Sequence, residues 1–320
     1  MTRPSGESRR PDSPLVSVVI AFLDAERFFE EAVASVFAQT YASWELLLVD
    51  DGSTDASSEM ARRHAADRPD RICYLEHPGH ANLGISAARN LGVRNARGKY
   101  IALLDADDVW LPSKLEEQVA ILESHPAAAL VYGRSLIWHG WTGDPADARR
   151  DRFYPLGIEP NRVVMPPSLF LRLLENRVQS PTPCNVLIRA DAFTRVGGFE
   201  DEFRGMLEDH AFFTKTHLHL PIYVSDRHWA NYRRHAGSCS TAARPPHIAI
   251  PLRRRFLEWV ERYLDDSEHA GNAEIRRLLR REQLRCRFPR AFALADRART
   301  RLGLPLSRFQ SARDARRAAV

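Results

Sequence analysis

Three carboxylates within four positions, Asp105, Asp107 and Asp108, end the apolar run Tyr100-Ile101-Ala102-Leu103-Leu104. Acids crowded this closely repel one another, so the arrangement suits a divalent cation or a polar ligand in the gap, and the stretch reads as a candidate site for a metal together with a phosphate. A helix N-terminus, where Asp is favoured by capping and by the helix dipole, is the plainer alternative. The pattern recurs twice. Asp24 follows Val16-Ser17-Val18-Val19-Ile20-Ala21-Phe22-Leu23, and Asp50-Asp51 follow Trp44-Glu45-Leu46-Leu47-Leu48-Val49.

Acids at three places need elements to gather them. The runs 15–22, 44–49 and 100–105 read as strands, the last buried on both faces because its side chains are nearly all apolar. Phe29, Val33, Val36 and Phe37 fall on one face of a helix that Asp24 can cap. Thr54 or Asp55 can start a second helix through 66, and a third spans 85–96 before Gly98 breaks it. A short strand over 71–76 lies between those two helices. A further helix starts at the capping-box spacing Ser113-Lys114-Leu115-Glu116 and ends at Pro126. Strands alternating with helices indicate an α/β fold with a parallel sheet, helices on both faces and right-handed crossovers. Ligands bind such sheets beyond the carboxyl ends of the strands. Asp24, Asp50, Asp51, Asp105, Asp107 and Asp108 are therefore expected along one rim, which would be costly unless something cationic or hydrogen-bonding offsets them. The segment after the first strand carries no glycine and the chain has no Walker loop, so phosphates would rest on a metal and on basic groups such as Arg89.

The second part of the chain is less regular. Strands are expected at 127–132 and 135–141, and the polar stretch 142–164 resists assignment, as functional loops often do. Pro166-Pro167 open a helix to 175, 182–188 resembles a strand, and Gly197-Gly198-Phe199-Glu200 is a turn. A helix carrying Phe212, Phe213 and Leu220 follows Glu208-Asp209, then short strands at 222–224 and 229–232. Beyond 251 the pattern is of arginine-rich amphipathic helices, with Phe256, Trp259, Val260 and Tyr263 on one apolar face.

Composition narrows the class. The chain has 320 residues, 44% hydrophobic and 27% charged, and no apolar run approaches the ~18 residues of a membrane span. Residues 1–13 read as a polar tail without the apolar core of a secretory signal. Cys73, Cys184, Cys239 and Cys286 are scattered, which argues against a zinc cluster or a disulfide framework and for a reducing, cytoplasmic setting. A net charge of +5, from 46 basic against 41 acidic residues, does not imply a nucleic-acid partner. The clustered arginines of the C-terminal helices are candidates for peripheral contact with an anionic membrane, a solvated charged face being the commoner explanation.

Taken in order, several stretches together resemble the family 2 glycosyltransferases, nucleotide-sugar-dependent enzymes of the GT-A fold. They are 16–25 with Ser35-Val36-Phe37-Ala38-Gln39, Val49-Asp50-Asp51-Gly52-Ser53-Thr54-Asp55, Asn82-Leu83-Gly84-Ile85-Ser86-Ala87-Ala88-Arg89-Asn90 and Leu104-Asp105-Ala106-Asp107-Asp108-Val109-Trp110. Gly197-Gly198-Phe199, Glu208-Asp209 and Tyr232-Arg233-Arg234-His235 with Ser238 and Ser240 continue the match. The resemblance implies a Rossmann-like, mainly parallel mixed sheet over 14–240, with a nucleotide-binding half at 14–126 and an acceptor half at 127–240, followed by a helical extension over 241–320. It also implies that Asp51 bonds the nucleotide base, that Arg89 lies near base or diphosphate, and that Ala21, Leu23, Asp24, Asn82, Asp105 and Ala106 complete the nucleotide site. Asp107 would hold Mn2+ or Mg2+, with His235 beside it and Asp105 nearer the ribose. Asp209, with its neighbour Glu208, looks like the catalytic pair, Asp209 being the base. The reaction implied is an inverting single displacement from a nucleotide-diphosphate sugar, UDP-sugars being favoured, onto an unidentified glycan, lipid-linked or small-molecule acceptor. Two departures stand out. Asp24 occupies a position usually Asn in the family, and the Gln-x-x-Arg-Trp signature of processive synthases is missing, which points to addition of single sugars.

Each assignment has a structural rival. Asp50 reads as a turn cap, with Asp108 as a cap or support. Glu208-Asp209 could be only a helix N-terminus and His235 a hydrogen-bonded structural histidine. Trp110, Phe199 and Trp229 fit a core better than a sugar platform, and Arg189 fits a surface or cap. Two other classes compete with transfer. One is a nucleotidyltransferase, which would want a glycine- and base-rich loop after the first strand; the other is a non-catalytic nucleotide-sugar-binding protein.

Overall fold

The computed structural model describes residues 13–175, 178, 180–204, 206–238 and 246–292. The tail expected before 13, Cys239, Ser240 and the chain beyond 292 lie outside these residues, apart from residue 13 itself. The first part alternates as its periodicities predict: β1 (Val16–Phe22), α1 (Phe29–Phe37), β2 (Trp44–Asp50), α2 (Ser57–Asp67), β3 (Ile72–Glu76), α3 (Ile85–Arg94) and β4 (Tyr100–Asp105). β1, β2, β3 and β4 pair in parallel in the order β3-β2-β1-β4. β1 and β2 are buried at every position, which is why their sequences are apolar without alternation. Gly92 of α3 lets the helix close on the sheet, since a Cβ there would come within 2.5 Å of Val19.

The remaining elements are β5 (Val109–Trp110), α4 (Lys114–Ser124), β6 (Leu130–Trp138), α5 (Pro145–Ala148), β7 (Arg152–Phe153), β8 (Arg162–Val164), α6 (Ser168–Leu174), β9 (Val186–Arg189), α7 (Ala190–Arg195), α8 (Glu208–His219), β10 (Ile222–Arg233), α9 (Pro246–Asp265) and α10 (Ala273–Arg287). They extend the sheet through β9, β6, β10 and β5, with β9 antiparallel to both β4 and β6. The result is a ten-stranded mixed sheet with a core on each face. A third apolar cluster joins Phe170 of α6, Ala211 and Leu218 of α8 and Phe203 to Phe256, Leu257 and Val260 of α9 and Ile275 and Leu279 of α10. The arginine-rich helices are thus packed on the sheet domain through the apolar face that the sequence marks.

Four local expectations are corrected. The breaks expected near 133 and 225 do not divide the chain. β6 and β10 are single strands, because Gly133 admits the Arg227 carbonyl and the Trp229 ring against its backbone, and β10 absorbs the polar insert 225–228 as irregular register with β6. Residues 183–185 form a 3-10 turn before β9 rather than its first half. Asp24 does not cap α1; it takes a positive φ of 47°, and its Oδ1 accepts the Thr54 amide at 2.7 Å. Ser113 makes no side-chain cap to α4, whose first turn is instead held by Gln39, its Oε1 accepting the Leu115 amide at 3.0 Å.

Candidate active site

The carboxyl ends of β1, β2 and β4, the N-terminus of α8 and the segment after β10 meet around a cleft of about 1050 Å3. Ala21, Leu23, Asp24, Asp51, Asn82, Arg89, Asp105, Ala106, Asp107, Glu208, Asp209 and His235 all line it. The structure therefore brings these twelve residues together, whereas Asp50 and Asp108, two of the six acids expected along the rim, are buried and do not line the cleft.

Arg89 is the tie between the two sides. It is 4% exposed, and donates from Nη2 to Asp105 Oδ1 at 2.5 Å and from Nη1 to Glu208 Oε1 at 3.4 Å. A buried guanidinium needs paired acceptors, and here they come from β4 and α8, so the pair of bonds also sets the distance across the cleft. Burial raises the Asp105 carboxyl, with repulsion from Asp107 adding and Arg89 opposing. Burial and the neighbouring Asp209 raise Glu208 as well. Asp209 is pushed up to about 6 by burial, with Arg89 and the His210 amide pulling the other way. Its Oδ1 accepts that amide at 2.7 Å. The helix begins at Leu207, which holds φ at 75°, an uncommon left-handed conformation for a non-glycine residue next to the cleft.

On the opposite wall His235 Nε2 and Asp107 Oδ2 are 3.0 Å apart. Here the two are hydrogen-bonded to each other, at about the separation of adjacent ligands of an octahedral cation bound at about 2.1 Å. Arg233 fastens this wall. Its backbone N–H donates to Asp108 Oδ1 at 2.9 Å, its Nε donates to the Asp107 carbonyl at 2.7 Å, and its head also pairs with Glu31. Asp108 is fully buried beneath the loop, which raises its carboxyl well above the usual range, Asp107 and Asp105 adding to the effect. The three acids of the run are thus unlike: Asp105 is tied to Arg89, Asp107 to His235, and Asp108 to backbone.

Asp50 and Asp51 diverge in the same way. Asp50 Oδ1 accepts the Ser53 amide at 2.8 Å and Oδ2 accepts the Tyr74 hydroxyl at 3.0 Å and the Ser58 hydroxyl, a turn-capping role. Asp51 faces the cleft and accepts the Leu83 and Gly84 amides at 2.9 and 3.0 Å. Gly52 between these turns has φ +87°, and a Cβ there would sit 2.9 Å from the Asn82 amide and the His80 carbonyl. Arg189 bonds the Ala128 and Leu122 carbonyls, and Trp110, Phe199 and Trp229 are buried, so these are core and support residues.

Other groups could hold a cation. Among the described residues, Asp50, Glu76 and His80 converge, as do His219, Glu268 and His269. The first set is already satisfied by Tyr74, Arg62 and the Ser53 carbonyl. Sequence reasoning missed several residues of the cleft, notably Arg204, His210 and Arg253. Arg253 arrives from α9, and nothing in the run Arg253-Arg254-Arg255 distinguishes it from its neighbours.

The sequence model of Glycosyl transferase family 2 matches residues 17–197. The chain is 40% identical over 147 residues to a Bacillus subtilis (strain 168) protein named for glycosyltransferase EpsE, covering 46% of this chain and 50% of that protein. It is 29% identical over 233 residues to the uncharacterized glycosyltransferase RP339 of Rickettsia prowazekii (strain Madrid E), covering 72% of this chain and 67% of that one. The match to EpsE thus spans about half the length of that relative. Among solved structures, S. aureus TarS 1–349 in complex with UDP-GlcNAc superposes with a TM-score of 0.62 at 20% identity, over 86% of this chain and 73% of that fragment. The mannosyltransferase PcManGT from Pyrobaculum calidifontis, in complex with GDP-Man and Mn2+, gives 0.58 at 18% identity over 99% and 84%. At these identities the likeness is one of fold, the GT-A fold expected from the sequence.

Proposed function

This chain belongs to glycosyltransferase family 2, and from that membership we propose that it transfers a single sugar, with inversion, from a nucleotide-diphosphate sugar to an acceptor hydroxyl. The observation that carries the reading is one cleft lined by Asp107 with His235 on one wall and Asp209 on the other, bridged by Arg89. Asp51 and Asn82 border the base pocket, and Asp105 the ribose. Asp107 and His235 would hold Mn2+ or Mg2+, which would neutralise charge on the departing diphosphate. Asp209, with a carboxyl at about 6, is ionised at neutral pH yet still basic enough to take the proton of the acceptor hydroxyl. The acceptor oxygen then attacks the anomeric carbon opposite the diphosphate, which leaves with its electron pair. Glu208, held by Arg89, positions the start of α8 that carries the base. The catalytic unit is read as 14–240, with Arg253 of the helical extension reaching its cleft. Donors carrying UDP and GDP in the two solved structures support a nucleotide-diphosphate sugar, and we favour UDP.

A thermal-shift panel of nucleoside diphosphates and their sugars, with and without Mn2+, tests the reading, because a ligand of the native state raises its melting temperature. The expected result is Mn2+-dependent stabilisation by one nucleotide, together with slow release of free nucleotide from its sugar. Stabilisation without any release of nucleotide would favour a pure binding protein, and formation of a sugar nucleotide from a sugar phosphate would favour a nucleotidyltransferase.

A further inference from the structure

α10 has two unlike faces. Ile275, Leu278 and Leu279 are buried against α9 and the sheet domain. On the opposite side Arg277, Arg280, Leu284 and Arg287 recur at the spacing of successive turns, all exposed, with Phe288 just beyond. Leu284 is 48% exposed and Phe288 50%. The inward-leaning arginines are paired, Arg276 with Asp265 and Arg281 with Glu175 and Glu282. Arg277, Arg280 and Arg287 of the outer stripe have no ion-pair partner among the described residues, and Arg287 stands over the Phe288 ring at 5.5 Å.

The start of α9 lies close by: Arg253, held at 3.2 Å on the Leu174 carbonyl, is within electrostatic reach of Glu282 and Cys286, which sets it beside the last turns of α10. Ile248 and Ile250, a turn earlier, are 38% and 36% exposed. These four side chains are half of the large apolar groups exposed among the described residues, and they share one end of one helix pair.

We propose that this face docks on an anionic lipid surface, with Leu284 and Phe288 entering the headgroup–acyl boundary and Arg277, Arg280 and Arg287 meeting lipid phosphates. Interleaved arginine and large apolar groups on a helix pair too polar to span a bilayer is the composition of an interfacial helix. Nucleic acid would engage the arginines but offers nothing to aliphatic Leu284. The charge continues in the sequence, where residues 293–320 hold seven Arg against two Asp. This inference is independent of the transfer reaction.

Co-sedimentation of the full chain with vesicles tests it, comparing phosphatidylcholine alone with phosphatidylcholine containing phosphatidylglycerol. Binding is expected only to the anionic vesicles, weakening as salt rises. Arg277→Gln and Arg280→Gln should each lower the partition coefficient about fivefold. The double variant Leu284→Ser with Phe288→Ser should lower it at least tenfold while far-UV circular dichroism and melting temperature stay close to those of the parent, since both side chains are about half exposed at the end of the helix. Equal binding to neutral vesicles, or anionic binding that all these variants retain, would overturn the proposal. So would a self-association of the chain that the double variant abolishes without any vesicle binding.

Discussion

On the side of the cleft built from β1, β2 and β4, Asp51 and Asp105 stand at or just past a strand end and are held from α3 and the loop before it: Asp51 by the Leu83 and Gly84 amides, Asp105 by Arg89. The other side is assembled differently. Asp209 is presented by the first turn of α8, and His235 by the chain beyond β10, a strand of irregular register with β6. Arg233 and Arg89 then lock the two sides together through Asp107, Asp108, Asp105 and Glu208. The parallel side supplies a regular rim whose positions follow from strand ends. The mixed side supplies the groups proposed to react, whose placement depends on two buried arginines.

Replacing the base gives the sharpest test of this division. Asp209→Asn should lower kcat by about 10²- to 10⁴-fold while donor affinity survives, measured by transfer assays and by donor thermal shift. The same variant should melt no lower than the parent at pH 7.5. The folded carboxyl at about 6 lies above the 3.8 of an ordinary Asp, so its contribution to stability is full below 3.8 and is lost as pH rises through about 6. Ionised Asp209 is thus a cost at neutral pH that Asn removes.

The pH profile is the next test in size. If Asp209 must be ionised, kcat/KM should fall about tenfold per pH unit below about 6. A profile flat down to pH 5 would place the base elsewhere.

Asp50 and Asp51 offer a contrast within one turn. Burial opposes ionisation of Asp50, but the Ser58, Ser53 and Tyr74 hydrogen bonds outweigh it and hold its carboxyl below the usual range. Asp50→Asn should therefore cost about 1–3 kcal/mol in urea unfolding at pH 7 with turnover retained, the loss shrinking as pH falls through the depressed value. Asp51→Asn should weaken donor binding instead.

The smallest effect concerns the core beneath the rim. Lys114 is fully buried, donating to Gln118 Oε1 at 2.8 Å and to the Val186 carbonyl at 3.2 Å, and burial lowers it to about 7. An ordinary lysine titrates at 10.5, so between these values the unfolded chain binds the extra proton and stability rises with pH. From pH 7 to 8.5 the parent should gain up to about 1.4 kcal/mol per pH unit relative to Lys114→Met, read from unfolding curves at each pH.

Much of this was legible without coordinates. Buried parallel strands are apolar at every position, so β1, β2 and β4 announce themselves, and acids at their ends mark a rim because the fold sends ligands there. The second half was read less well. Gly133 reads as a strand break in isolation but serves as a point of close approach to Trp229, and Ser113 has the spacing of a cap that Gln39 replaces from elsewhere in the chain. Arg253 carries no local signal at all.

By itself the sequence determined the fold class, the rim and the identity of the carboxylates on it, since these follow from local periodicity and from which residue types follow a strand. Only the tertiary structure decided how those carboxylates divide their work. Asp105, Asp107 and Asp108 differ because Arg89, His235 and the Arg233 backbone reach them from 16, 128 and 125 residues away. Partners that distant in the chain are chosen by packing, and no periodicity records them.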